Sequence, residues 1–298
     1  MVESGSSLKA IVMPEGEDAR IVEAAGLIAA RGIARPLVLG AEAVPEGVVA
    51  LGALKDPAPL VAAMLARRPG KASLAERMLT RPLFRAGAMV AAGQAAAMLA
   101  GVAHPTRRVI EAAGLTVGMA EGVATPSSFF LMRVPGRAPL AFADCALNVA
   151  PDAAALADIA VATARSAGAL LEEPVRLAFL SFSTHGSGAG ASVDLVREAV
   201  ALAGPRLDCA FDGPLQADAA LSAAIAAKKG ADWAGGANVL IFPTLDAGNI
   251  GYKLVQELVG AQAVGPFLQG FAQPVCDLSR GASVADIVDA AEVVLRLA

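Results

Sequence analysis

Between residues 176 and 203 the chain passes from a short apolar run, Arg176-Leu-Ala-Phe-Leu-Ser-Phe182, through a loop holding Gly186, Gly188 and Gly190, into a helical spacing from Ser192. The run is too short for an ordinary helix and ends in turn residues, so it reads as a buried strand. A strand feeding a tight loop and a helix is the repeating unit of open, mostly parallel sheets. Alternating glycines let a backbone approach an anion closely, and the free N–H groups of the following helix favour negative charge. The loop has neither the Gly-Lys-Ser/Thr ending of a nucleoside-triphosphate loop nor the Gly-x-Gly-x-x-Gly of a dinucleotide site. Ligand loop and simple turn both remain open on these residues alone.

The same unit recurs along the chain. Residues 9–13 read as a strand broken by Pro14-Glu-Gly-Glu-Asp18, followed by a helix over 19–31 and a strand over 36–39. The pattern is thin from Ala41 to Asp56; a helix is expected over 57–68, another from about Leu74, and a strand over 97–103. Strands over 125–132 and 140–144 flank a Pro135-Gly136 turn that reads as a seam between domains, and a long amphipathic helix covers 153–172. Further strands are expected over 207–211, 238–243 and 264–268. Polar clusters follow several of them: His104 and Thr106, then Asp212 with Gln216, then Asn249, Tyr252 and Lys253. In an open parallel sheet the carboxyl ends of the strands share one edge, so such clusters converge. The expected fold class is α/β, with two three-layer domains.

Composition narrows the function classes. A chain of 298 residues with 56% hydrophobic content has ample material for a core, and a net charge of -4 gives no reason to expect nucleic acid or an anionic membrane as partner. Three cysteines far apart and two histidines indicate neither a zinc site nor a disulfide framework, which suits a reducing cytoplasm. The polar start, Met1 to Ser7 with Glu3, is unlike a secretion signal. Residues 86–103 carry no charge, but they are mostly alanine and glycine with Gln94 inside, and read as a buried helix and strand rather than a membrane span.

The densest chemistry lies at Asp277-Leu-Ser279-Arg280-Gly-Ala-Ser283-Val-Ala-Asp286. Ser283 followed three residues later by Asp286, ahead of Ile287, Val288, Ala291, Val294 and Leu295, is a capping-box helix start. Arg280, one turn upstream, is the residue type that grips a phosphate through two parallel hydrogen bonds. The bland alternative is that Asp286 only caps, Arg280 only pairs with Asp277, and Ser279 only turns the chain.

Taken together, residues 181–188, 212–216, 238–252 and 265–286 closely resemble the phosphate acetyl/butyryltransferase family, with support at the front from Pro14-Glu-Gly-Glu-Asp18. The resemblance implies two α/β domains with a cleft, similar to the isocitrate/isopropylmalate dehydrogenase-like fold, the first formed by 1–134 and 267–298 and the second by 135–266. It also implies acyl transfer between coenzyme A and inorganic phosphate, without metal, tightly bound cofactor or covalent enzyme intermediate. On matching motifs, Asp286 would be general base on the thiol, Ser279 would steady developing charge and Arg280 would hold the phosphoryl group. Coenzyme A and acetyl phosphate would be met by Ser183, Thr184, His185, Gly186, Ser187, Asp212, Gln216, Asn249, Tyr252, Lys253, His104, Thr106 and Arg67. A cytoplasmic homodimer is implied as well. Departures from the pattern are Glu111 and Glu257, where relatives carry arginine, and His185, where lysine is usual. A longer acyl substrate such as butyryl phosphate, or a non-catalytic acyl-CoA-binding module, are the competing readings.

Overall fold

The computed structural model describes residues 8–298; the expectation for Met1 to Ser7 lies outside them. The chain divides into two compact units, residues 1–121 with 271–298, and residues 122–270.

In chain order the first unit begins with β1 (Ala10–Met13), α1 (Ala19–Ala30), β2 (Arg35–Leu39), β3 (Val49–Leu51), α2 (Ala58–Arg67), α3 (Ala72–Met78), α4 (Pro82–Ala91), β4 (Ala97–Ala100) and α5 (Thr106–Thr116). The second unit contributes β5 (Ser127–Arg133), β6 (Leu140–Ala143), α6 (Ala153–Leu170), β7 (Arg176–Leu180), α7 (Ala191–Ala203), β8 (Ala210–Leu215), α8 (Ala217–Leu221), α9 (Ala223–Lys228), β9 (Val239–Ile241), α10 (Leu245–Val259) and β10 (Gln262–Gln269). The chain then returns to the first unit as β11 (Val275–Asp277) and α11 (Val284–Arg296).

The first unit's strands run in the order β3, β2, β1, β4, β11, and every pairing is parallel. Both faces are covered, since α1 packs on α11 and α4 on α5, which is why β1 and β4 are apolar and buried along their whole length. Asp18 caps α1 by accepting from the Arg20 N–H, and Pro82 starts α4 where its missing donor costs nothing. In the second unit the order is β10, β5, β6, β9, β7, β8; β10, β5 and β6 pair antiparallel, and the remaining pairings are parallel. The result is a mixed α/β protein with mostly parallel strands, as expected.

Several local expectations change. β5 and β10 pair with each other, and both lie within the unit 122–270, beside the expected division at 134 and 266. The thin stretch after Ala41 holds the three-residue strand β3, and the helix expected from Leu74 is two helices, broken ahead of Pro82. Asp212 lies inside β8 rather than in a turn after residue 211. Residues 86–103 are the buried end of α4 followed by β4. Among the described residues, the one helix long and apolar enough to cross a membrane is α6, half of it buried in the protein, with the Thr163 hydroxyl on the Ile159 carbonyl and on Gln269.

At the end of β4 the backbone of Gly101 takes φ +117°, and a β-carbon there would lie 2.5 Å from the Asp277 carboxyl and from the Leu278 carbonyl. Gly101→Ala combines backbone strain with a collision, and should lose about 3 kcal/mol in urea unfolding. Gly114→Ala, inside α5 with open space around it, should be neutral or gain up to about 1 kcal/mol.

Candidate active site

All strands of the first unit are parallel, so residues following β1, β4 and β11 share one edge. After β1, Glu15 is buried, with its carboxylate accepting from the N–H groups of Gly101 (2.8 Å), Val102 (3.0 Å) and Ala103 (3.0 Å). The same carboxylate meets His104 Nδ1 at 2.7 Å, leaving the imidazole partly exposed. Arg20 clamps the next turn, donating from Nη1 to the carbonyls of Arg280 (2.9 Å) and Ala282 (2.8 Å), while Asp18 holds its Nε and Nη2. These contacts position the stretch 277–286 against the loop that carries His104.

Within that stretch Asp277 is buried and Arg280 is exposed. No carboxylate lies within ion-pair distance of the Arg280 guanidinium among the described residues, so the simple Arg280–Asp277 pair is not formed. Ser279 is exposed and its Oγ accepts from the Gly281 N–H at 3.2 Å. The capping box is real: the Asp286 carboxylate accepts from Ser283 N (2.9 Å) and Ser283 Oγ (2.7 Å), and Ser283 Oγ accepts from Asp286 N (3.2 Å). Asp286 therefore caps α11 at the edge where Ser279 and Arg280 emerge.

Asp277 had no chemical role in the sequence reading, and neither did Glu15. Burial pushes the Asp277 carboxyl up to about 7; a hydrogen bond from Thr106 opposes the shift and the nearby Glu15 charge adds to it. Its Oδ1 has no hydrogen-bond partner. Thr106 thus faces the strand end, beside His104. Arg67 does not join them: its stem packs on Gly118, past the C-terminal end of α5, whereas His104 and Thr106 flank the other end. An α-helix of 11 residues separates the two places by about 16 Å.

In the second unit β6, β9, β7 and β8 are parallel neighbours, so their following loops share an edge. The glycine loop after β7 is tied internally. Ser183 Oγ accepts from Gly188 N (2.8 Å), Ser187 Oγ accepts from Thr184 N (2.9 Å), and Thr184 Oγ1 accepts from Gln216 N (3.1 Å). Ser183 and Thr184 are buried, which makes them builders of the loop, while Gly186 is exposed with open space around it. His185, at φ 48°, turns its Nε2 to Asp212 at 3.2 Å. After β9, Asn249 donates to the Cys145 carbonyl at 3.1 Å. Tyr252 is buried with its ring stacked on Phe130, and exposed Lys253 lays its ammonium over that ring. A further residue missed by sequence is Asp144 after β6, buried and accepting from Ser128 Oγ, the N–H groups of Ala146, Leu147 and Asn148, and Asn148 Nδ2.

Burial pushes the thiols of Cys145 and Cys276 well above their ordinary value, and that of Cys209 upward, with a neighbouring aspartate adding to each. None of the three is an activated nucleophile. What the two edges do offer is an unpaired guanidinium, hydroxyls and helix-terminal N–H groups, the equipment of a protein that handles small anions.

4-Hydroxythreonine-4-phosphate dehydrogenase from Klebsiella pneumoniae matches at a TM-score of 0.55 with 13% identity over 98% of this chain and 99% of that one, a likeness of fold alone. The family described as "Phosphate acetyl/butaryl transferase" matches residues 2–294, and the chain belongs to it. A phosphate acetyltransferase of Paracoccus denitrificans is 42% identical over 297 residues, 95% of this chain and 93% of that protein. The EutD phosphotransacetylase from Staphylococcus aureus superposes with a TM-score of 0.88 at 36% identity, over 98% of this chain and 94% of the other.

The folded-state pKa of Asp277, about 7, lies above its unfolded value, near 3.8. The carboxyl's contribution to stability is therefore full below about pH 4 and is lost as pH rises to about 7. Asp277→Asn, which removes the charge and keeps the shape, should gain stability over wild type at pH 8 by up to about 4 kcal/mol, and much less at pH 5. Urea unfolding of both proteins at the two pH values reads the difference.

Proposed function

We propose that this chain transfers an acetyl group reversibly between coenzyme A and inorganic phosphate. The observation that carries the reading is the unpaired Arg280 guanidinium beside Ser279, on a turn held by Arg20 and followed directly by the capped helix bearing Asp286. Close relatives named phosphate acetyltransferase favour acetyl over a longer acyl group and over a non-catalytic module.

In this reading the coenzyme A sulfur attacks the carbonyl carbon of acetyl phosphate, the carbonyl oxygen takes up negative charge, and collapse breaks the bond to the phosphate oxygen. Arg280 holds the phosphoryl group through the attack and stabilises the departing phosphate. Ser279 Oγ donates to developing charge, and Asp286 receives the thiol proton. A thiol of pKa about 8.5 is only a few per cent thiolate at neutral pH. A carboxylate of ordinary pKa is a weak base for it, so charge stabilisation carries as much of the barrier as proton abstraction. Raised pKa values at all three cysteines favour direct transfer over an acyl-enzyme thioester.

Coenzyme A is a substrate here, with no tightly bound cofactor required. We assign its anionic groups to Lys253, the Gly186 loop with Ser187, and His185 when protonated, and Arg67 to a distant part of this long molecule. His104 and Thr106 sit by the phosphate end; Asp212, Gln216, Asn249 and Tyr252 support the groups that touch it. We assign the chain to the cytoplasm, where cysteines such as Cys145, Cys209 and Cys276 stay as thiols. Ile250, Leu254 and Leu258 are exposed at four-residue spacing on α10, one apolar helix face, and we assign it to a second copy of the chain.

In an assay of thioester formation from acetyl phosphate and coenzyme A, Arg280→Ala should lose at least about a hundredfold in rate. Asp286→Asn keeps an acceptor for the cap and should also fall by an order of magnitude or more; wild-type rates in both would discard these roles. The double variant Leu254→Glu, Leu258→Glu should sediment as a monomer where wild type sediments as a dimer, and an unchanged sedimentation coefficient would move the interface elsewhere.

A further inference from the structure

Beyond the strand ends that carry Glu15, His104 and Ser279, the first unit's sheet continues outward through β2 and β3. A cavity of about 620 Å³ opens at their carboxyl ends, within the size range of small-molecule sites. Leu39, Leu51, Leu54 and Leu79 give it an apolar wall, and Arg85 supplies its positive charge.

Arg85 is held in an unusual state of partial satisfaction. It lies on α4, the face of which is otherwise buried, and Nη1 donates to the Gly52 carbonyl at 2.6 Å. Its Nε is buried with no acceptor, and no carboxylate pairs with the guanidinium among the described residues. Burial alone pulls its pKa down, with no opposite charge working against it. A half-buried guanidinium without a counter-ion loses hydration that nothing in the protein replaces. Nε itself is closed to a ligand, so the terminal nitrogens are the part of the guanidinium that offers a carboxylate charge-assisted hydrogen bonds.

Two acidic residues, Glu42 and Glu76, also line the cavity, and both are exposed. They oppose a doubly charged head group more than a singly charged one. We infer that the cavity is a second ligand site, separate from the reaction edge, which takes a small monocarboxylate with an apolar body, its carboxylate on Arg85 and its body against the leucines. Nothing in the acyl-transfer chemistry uses Arg85, so the site is suited to a ligand that is neither substrate nor product.

The test is isothermal titration of the full chain with benzoate, and with phenyl phosphate as the doubly charged counterpart, with and without saturating coenzyme A. Benzoate should bind wild type, phenyl phosphate more weakly at pH 8, and coenzyme A should leave the benzoate affinity unchanged. Arg85→Gln should weaken benzoate at least about tenfold, the loss expected for a charge-assisted pair. Ala53→Trp, which fills the rim and leaves the charge intact, should block it too; thermal melting checks that both variants fold. Absence of benzoate binding to wild type at millimolar concentration, equal affinity in Arg85→Gln, or displacement by coenzyme A would each overturn the proposal.

Discussion

One carboxylate organises the edge of the first unit. Glu15 takes three consecutive backbone N–H groups and the imidazole of His104, so the chain leaving β4 is fixed by a residue that follows β1. Two buried donors and a partly buried one without an acceptor would cost far more than the several hydrogen bonds gain individually. The loop geometry therefore depends on this one side chain being present. Arg20 does the complementary work with its positive charge, satisfying two carbonyls of the 280–282 turn. Between them, two residues from the first forty hold residues from two distant parts of the sequence at one place.

That arrangement also settles the electrostatics around Arg280. A carboxylate three residues before it would be expected to cancel its charge, yet Asp277 points into the protein, where burial holds its proton on until about pH 7. The guanidinium keeps its charge for whatever anion approaches. Asp18 is satisfied by Arg20, and the bond to that guanidinium lowers its pKa, so the acid beside β1 is likewise spent on structure. In the second unit the logic is inverted: the hydroxyls of Ser183 and Thr184 are consumed by the loop itself, and what faces outward is backbone and His185.

The alternation of strands and helices was legible because buried parallel strands are continuous apolar runs, as at 176–180 and 97–100. β3 and β11 were not, being three residues each, with exposed or polar members that leave no periodicity. The capping box at Ser283 and Asp286 could be read directly because it is a local contact with fixed spacing. Glu15 and Asp277 were invisible as chemical groups for the opposite reason. Their partners lie 86 to 89 residues away for Glu15, and the shift at Asp277 comes from burial, which no local pattern encodes. The stacking of buried Tyr252 on Phe130 was equally invisible, since the two rings lie far apart in sequence.

The opposition between a structural and a chemical Asp286 dissolves on the same grounds. A capping carboxylate must sit within the first turn of its helix, facing the free N–H groups, and that is also where a helix end favours anions. Binding to Ser283 fixes the Asp286 side chain in one orientation, which a residue that must meet a substrate proton at a defined place requires. An unconstrained aspartate would reach more positions and hold none. Capping is thus compatible with the proton-accepting role proposed for Asp286 rather than a rival explanation of the motif.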